Sequence, residues 1–529
     1  MFFALIFVLL LSFVFGLGLL AQRLEIPYPI LFIIGGLVIS FIPIFPRQLE
    51  LDPNLIFFLF LPPLLYIQAF YTSWRDFRLN LRPILMLAIG LVLATTAAVA
   101  YVAHWLIPGF PLAAGFVLGA IISPPDAIAA SAIAQRLGLP RRVVTILEGE
   151  SLVNDATSLV IFKVALAALA TAPTAIERMW IPGQFLYVGG GGIAVGLVVG
   201  KAIAWVRKRI MDDGVETTLT ISLVTPYISY LLADQVLHVS GVLSVVATGL
   251  HLGWEGPEMI TANIRLQAGA VWRTIIYLLN GVVFVLIGLQ LPGILRMLDE
   301  KMWPAPILYA VIINAVCIVV RLAWIFPGAY LPRLLFKRVR EREPNPRWQE
   351  VLVVGWSGMR GIVSLAAALG LEGYPDYPKP HLVQFIAFSV ILVTLVGQGL
   401  SLPPLIRWLK VGDDGLPARE EIDARMQIAR AVFDKIDEVR RERKFPVAAI
   451  ERVENVFREQ EANFHDELAD QIGWSQQRQQ IVSVRRLNRI MIAVQRRALL
   501  GMRRAGRIGD DVMHKIEHEL DLEEDRLGI

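Results

Sequence analysis

The sequence predicts an all-α polytopic membrane protein of about thirteen transmembrane helices, with a helical cytosolic domain after them. Composition is the first sign. The chain has 529 residues, 55% hydrophobic and 18% charged, against roughly 45–50% and about 25% in soluble chains. Distribution is the second. Residues 1–410 are apolar runs broken by short polar loops, whereas 411–529 are rich in Arg, Glu, Asp and Gln. A membrane domain (1–410) and a soluble C-terminal domain (411–529) are therefore expected. The third sign is that basic residues recur in every second loop.

The first run, MFFALIFVLLLSFVFGLGLLAQR, has no basic residue before Arg23. It is too long for the roughly 7–15-residue apolar core of a signal peptide and is expected to stay as span one. Runs of about 20 apolar residues then place spans two to thirteen at 27–45, 54–71, 84–107, 112–135, 142–171, 183–206, 215–236, 239–254, 274–293, 303–331, 350–371 and 382–406. The stretch 255–273 is too polar to span and reads as interfacial or cytosolic.

Odd-numbered spans end on basic loops: Arg23; Arg75, Arg78 and Arg82; Arg136, Arg141 and Arg142; Lys201 to Arg209; Arg265 and Arg273; and Arg333 to Arg347. Even-numbered loops are short, Pro-rich and weakly charged. The positive-inside rule puts the N-terminus outside and the C-terminal domain in the cytoplasm. The surplus of positive charge is thus topological and carries no sign of nucleic-acid binding.

Cys317 is the one cysteine, which excludes an intramolecular disulfide and a cysteine-based metal cluster within one chain. It lies in an apolar run and is expected to pack. The seven histidines show no metal-binding spacing. In the C-terminal domain Ile422, Met426, Ile428, Val432, Phe433, Ile436 and Val439 recur among charges as on an amphipathic helix, with breaks at Pro446 and Gly473. His465, His514 and His518 are possible pH sensors.

Charges inside spans are expensive and mark functional sites by default. Asp126, Glu148, Glu150, Asp155, Asp234, Arg321 and Arg360 stand out. Span six holds the densest group. Ser151 and Asp155 are four apart and share a helix face, and Glu150 and Asn154 lie on the adjacent one. Oxygen donors in one inward stripe suit a hard monovalent cation; a polar knot gluing helices is the plainer alternative.

Span five contains Ser123-Pro124-Pro125-Asp126. Two prolines remove two backbone donors and break the helix beside a carboxylate. Irregular backbone at that depth must line a cavity or be buried in protein. Span twelve contains Gly355, Gly358 and Gly361 around Arg360. If the two halves are inverted repeats, these interrupted spans correspond, as in secondary transporters whose broken helices build the site. Arg360 needs a buried partner; Glu150 is the first candidate and Glu148 the second, as a structural pair. Asp234 and His238 form a polar helix end on span eight. Arg321 calls for a buried carboxylate that the sequence does not name.

The combination SPPDA (123–127), EGESLVND (148–155), LNGVVFVLIGLQL (279–291) and WSGMRG (356–361) resembles the cation:proton antiporter-1 family, which includes bacterial NhaP-type Na+/H+ antiporters and animal exchangers. The resemblance covers essentially the whole membrane domain. It implies thirteen spans in inverted repeats, discontinuous crossing helices at spans five and twelve, and a homodimer in which a core domain moves against a dimerisation domain. It maps the cation- and proton-binding pair onto Asn154 and Asp155, with Ser151 and Asp126 as further ion-binding groups, so that Na+ would sit among Asp155, Ser151 and Asp126. It maps the structural ion pair onto Glu150 and Arg360. An Asn-Asp pair goes with electroneutral exchange.

The sequence departs from the family in two places. Pro125 stands where many members have Thr before the span-five Asp. Ile67, or Gln68 one residue on, stands where some have an acid in span three.

The expected activity is exchange of Na+ (or Li+) for H+ across a cell membrane, expected to be a bacterial inner membrane, with no cofactor and no enzyme chemistry. A K+/H+ exchanger or a symporter would use the same motifs. An intramembrane aspartyl protease would need two buried carboxylates, such as Asp126 and Asp155, but its GxGD signature is absent from the spans. No filter-like loop argues for a channel.

Overall fold

Apolar runs become long helices because a helix satisfies its own backbone groups where no water can. The structure, a computed structural model, describes residues 2–24, 26–41, 53–170, 175–209, 214–259, 262–298, 304–342, 345–412, 415–442, 445–455, 457–458, 491–499, 502, 516 and 520. Those residues are helical or irregular, with no strand among them. Seven helices among them are long and apolar enough to cross a membrane: Leu81–Leu106, Leu112–Arg136, Arg141–Leu169, Leu186–Arg209, Ile264–Arg296, Ala305–Leu335 and Pro380–Leu409. Shorter apolar helices cover Val8–Leu24, Tyr28–Ser40, Phe57–Tyr71 and Ile362–Gly373. Spans eight and nine form helices Val215–Leu231 and Gly241–Met259.

The polar stretch 255–273, expected to be interfacial or cytosolic, is helical through most of its described part. It extends the neighbouring helices, Gly241–Met259 and Ala262–Arg296. Spans four, eight and thirteen each contain a wider π-helical turn, at Met86–Leu91, Leu232–Val236 and Val393–Gln398. Such turns occur often at functional sites.

The chain divides into two compact units, Met1–Asp413 and Asp414–Ile529. Among its described residues the first has two apolar cores. The larger joins residues of spans one, two, four, five and ten to thirteen, among them Val14, Phe32, Val99, Leu118, Phe284, Ile313, Leu365 and Phe388. The smaller joins Leu61, Leu65 and Tyr66 of span three to Val242, Val245 and Val246 of span nine. Span six serves both. Its Val143, Leu147 and Leu166 belong to the larger core, and its Leu152 and Ala156 to the smaller. The turn that carries Ser151, Asn154 and Asp155 therefore lies on the seam.

Small residues let helices touch backbone to backbone, as is common in membranes. A Cβ on Gly36 would sit 2.3 Å from the Val285 carbonyl oxygen, and one on Gly288 2.3 Å from that of Ile33. Cys317 is buried and free, within the larger core. At the end of span eight, Asp234 accepts a hydrogen bond from Lys163 Nζ of span six at 3.1 Å, so its partner is this lysine and the adjacent Gln235.

In the second unit Leu416–Glu442 forms one helix, and residues 447–455 are helical. Pro446 falls between them, as its lack of a backbone donor predicts. Hydrogen bonds from Arg458 and Arg440 hold the Glu454 carboxyl below its usual range. Gly473, His465, His514 and His518 lie outside the described residues.

Candidate functional site

Each half of a broken helix ends with backbone groups that lack an intrahelical partner. Span five is Leu112–Ile122 followed by Ala127–Arg136. Span twelve is Trp348–Trp356 followed by Ile362–Leu369. The two breaks meet. Asp126 N donates to Met359 O at 2.6 Å, and Arg360 Nε donates to Ile122 O at 3.1 Å. Each irregular stretch thus satisfies the other, which is how such backbone survives in the membrane interior.

Asp126 caps the second half of span five, accepting a hydrogen bond from Ile128 N at 2.8 Å. A carboxylate is favourable at a helix N-terminus because the free N–H groups point toward it. Gly361 makes room for it: a Cβ there would lie 2.1 Å from Asp126 Oδ2 and 2.6 Å from its Cβ. Gly361→Ala is expected to push the Asp126 carboxylate out of place. In liposomes it should weaken the cation response severalfold or more while Gly373→Ala, whose Cβ would meet nothing, behaves as the parent protein.

Span six supplies the rest. Asn154 Nδ2 donates to Pro125 O at 2.7 Å, tying it to a carbonyl freed by the proline break. Its Oδ1 is buried with no hydrogen-bond partner among the described residues. Ser151 Oγ accepts from Ala127 N at 3.4 Å. Asp155 is 8% exposed, and Ser158 Oγ donates to its backbone carbonyl at 2.9 Å. Asp155, Asp126 and Ser151 line one narrow cavity together with Gln68, Gly361 and Ser364. Leu61, Leu64 and Leu65 of span three form its apolar wall. Two of these, Leu61 and Leu65, belong to the smaller core, so the cavity opens along the seam between the two cores.

The expected pairing of Glu150 with Arg360 is not what the structure contains. Glu150 is held by Arg321, Nη1 to Oε1 at 2.5 Å and Nη2 to Oε2 at 2.9 Å. Arg321 also donates to Gly355 O and Val354 O, each at 3.0 Å. Span eleven passes the point where the first half of span twelve ends. One guanidinium there meets both the span-six carboxylate and the helix's open carbonyls, the negative end of its dipole. Gly358 permits the approach, since a Cβ would lie 2.5 Å from Arg321 Cδ. Arg360 lies within the break and turns to carbonyl oxygens of Ile122 and Gly358, while its backbone N–H donates to Thr394 Oγ1 at 3.1 Å. Thr394 is in the π-helical turn of span thirteen.

The structure brings two further groups to the cavity. Gln68, rather than Ile67, lines the cavity from span three, and Ile67 packs in the smaller core. Ser364 is 1% exposed, and its Oγ has no hydrogen-bond partner among the described residues. The one available signal for Ser364 was its place in the first turn after the glycine-rich break. Among the described residues no group of three or more His, Cys, Asp or Glu could hold a metal ion. The cavity's donors are instead two carboxylates, hydroxyls and an amide, the hard oxygen set that suits an alkali cation.

A family model described as sodium/hydrogen exchanger, transmembrane, matches residues 9–408. An uncharacterized Na(+)/H(+) exchanger of Mycobacterium bovis is 35% identical over 518 residues, covering 96% of this chain and 93% of the relative. A sodium, potassium, lithium and rubidium/H(+) antiporter of Bacillus pumilus is 34% identical over 394 residues, covering 72% of this chain and 58% of the relative. Among solved structures, the fold is similar to that of a sodium proton antiporter from Methanocaldococcus jannaschii, with a TM-score of 0.58 at 19% identity, over 74% of this chain and 97% of that one.

Proposed function

Since the chain belongs to the sodium/hydrogen exchanger family, an integral membrane cation/proton antiporter, we propose that it exchanges Na+ or Li+ for protons one for one, with a single carboxylate carrying either. That carboxylate is Asp155. One observation carries the reading: Asp155, Asp126 and Ser151 line a single cavity where two broken helices cross. Proton and cation compete for the same carboxylate oxygens, so one leaves before the other binds. With either bound the charge is neutralised, and the site can pass between the two sides; an empty carboxylate in the apolar barrier is held back by its desolvation. The seam between the two cores is where one bundle would slide against the other.

Asn154 is a neutral partner. Its amide donates to the Pro125 carbonyl, a role that an ionised aspartate could not fill, and this supports a single titrating group and electroneutral exchange. Na+ and H+ are the substrates, and no cofactor takes part. We take the N-terminus to be outside and the C-terminal domain cytoplasmic from the loop charges, the membrane to be a bacterial inner membrane, and the working unit to be a homodimer, as the resemblance implies.

K+/H+ exchange is the second reading. It is favoured by the amide of Gln68 in place of an acid at the cavity and by the Bacillus pumilus relative, whose name includes potassium. Purified protein in liposomes, with a trapped pH dye and an imposed proton gradient, separates the two. Na+ or Li+ should collapse the gradient equally with and without a potassium ionophore that clamps voltage. A response to K+ alone would replace the first reading by the second. A response that the clamp changes would remove electroneutrality.

A further inference from the structure

A buried serine or threonine in a helix usually spends its hydroxyl on the carbonyl one turn back. Thr145, Thr157, Ser357 and Thr394 do so, donating to the carbonyls of Arg141, Val153, Val353 and Val390 at 2.7–3.1 Å. Ser364 does not. It is the third residue of the helix Ile362–Leu369, whose N-cap is Gly361. The residue one turn back is Arg360, which lies in the break and outside the helix. The interruption of span twelve thus removes the partner that the hydroxyl would otherwise take.

A buried hydroxyl left without a partner is costly and calls for an explanation. Among the described residues Thr96, Ser131 and Ser364 are serines or threonines in this position, and of these Ser364 lines the cation cavity. Asp126, Ser151 and Asp155 line the same cavity. Ser151 Oγ already accepts from Ala127 N, whereas both lone pairs of Ser364 Oγ are open.

We propose that Ser364 Oγ is a direct ligand of the transported cation and favours the smaller alkali ions. The carboxylates supply charge, which every alkali ion uses. A neutral oxygen discriminates by distance, because Coulomb attraction rises as the separation falls, so Li+ and Na+ gain more from it than K+. The role rests on the exchange site proposed above.

The test separates binding from folding. Removing an unpartnered hydroxyl leaves no group stranded, so Ser364→Ala should keep the parent's thermal midpoint, or exceed it, in choline chloride. Added Na+ should then raise the midpoint less than in the parent. In liposomes the apparent KM for Na+ should rise about tenfold, with a steeper rise for Li+ and a smaller one for K+. Ser364→Cys is close in volume and offers a soft donor that suits an alkali cation poorly. It should follow the alanine variant, and it carries the test if that variant does not fold. A midpoint lowered in choline with the same KM rise for every ion would make the serine structural and overturn the role. A parent that answers Na+ while both variants keep its KM values would overturn the role and leave the proposed exchange standing. A parent that answers no alkali cation would overturn both.

Discussion

Asp155→Asn is expected to end cation-driven proton movement in liposomes while leaving the protein folded. The substitution keeps the shape of the side chain and removes a buried charge, so the fold loses nothing that Asp155 supplied. The site loses its dominant attraction. Two unit charges about 4 Å apart at an effective dielectric near 20 interact by about 4 kcal/mol, roughly a thousandfold in affinity. The amide also has no proton to give up, so neither half of the exchange remains. Retained exchange in a folded Asp155→Asn protein would refute the assignment. Titration of the parent protein gives a second handle. A proton on Asp155 excludes the cation, so the apparent KM for Na+ must rise as pH falls and level off once the carboxylate is deprotonated. With one competing proton the rise approaches about tenfold per pH unit, and with two coupled carboxylates it is steeper. A slope near two would bring Asp126 into the titration, and a flat profile would separate proton from cation binding altogether.

The membrane class was legible because a bilayer imposes a single demand, apolar helices of sufficient length, and the first 410 residues meet it run after run. The site was legible for a related reason. Asp126, Ser151, Asn154 and Asp155 are polar where polarity is costly, and the Pro124-Pro125 pair and the glycines around Arg360 mark where the backbone must leave the helix. All of these converge in the structure, the first two at one cavity with Asp155, and Asn154 at the carbonyl of Pro125. Partner identity was not legible. The sequence points Arg360 to Glu150 and names no carboxylate for Arg321, because helical spacing relates residues within a span but not between spans. Which arginine reaches Glu150 depends on how span eleven passes the end of a half-helix, a tertiary fact. The register of span three was equally hidden. Ile67 and Gln68 are neighbours about 100° apart on the helix, and only packing against the smaller core turns Gln68 to the cavity.

Breaking the Glu150–Arg321 pair is expected to be the most destabilising single change in the membrane unit. Both residues are buried, at 1% exposure each. Removing one partner leaves the other as an uncompensated charge, which costs about 3–5 kcal/mol. Arg321→Ala should be at least as damaging as Glu150→Gln, because Arg321 also serves Gly355 O and Val354 O and its loss leaves two carbonyls open. Arg321→Lys should fall between, since an ammonium cannot match the paired carboxylate and two carbonyls at once. The exchange of charges, Glu150→Arg with Arg321→Glu, distinguishes this arrangement from a simple ion pair. A simple pair would tolerate the swap. Here a carboxylate at position 321 would face two carbonyl oxygens, acceptor against acceptor, so the double variant should remain as unstable as the single ones. The measurement is the thermal midpoint of monodisperse protein in detergent. Recovery by the swap would show that the carbonyls of span twelve do not need Arg321, and an unchanged midpoint in Arg321→Ala would remove the pair from the structural account. By contrast Arg360→Gln keeps an amide donor for Ile122 O and should be milder, which is the opposite of what a Glu150–Arg360 pair would give.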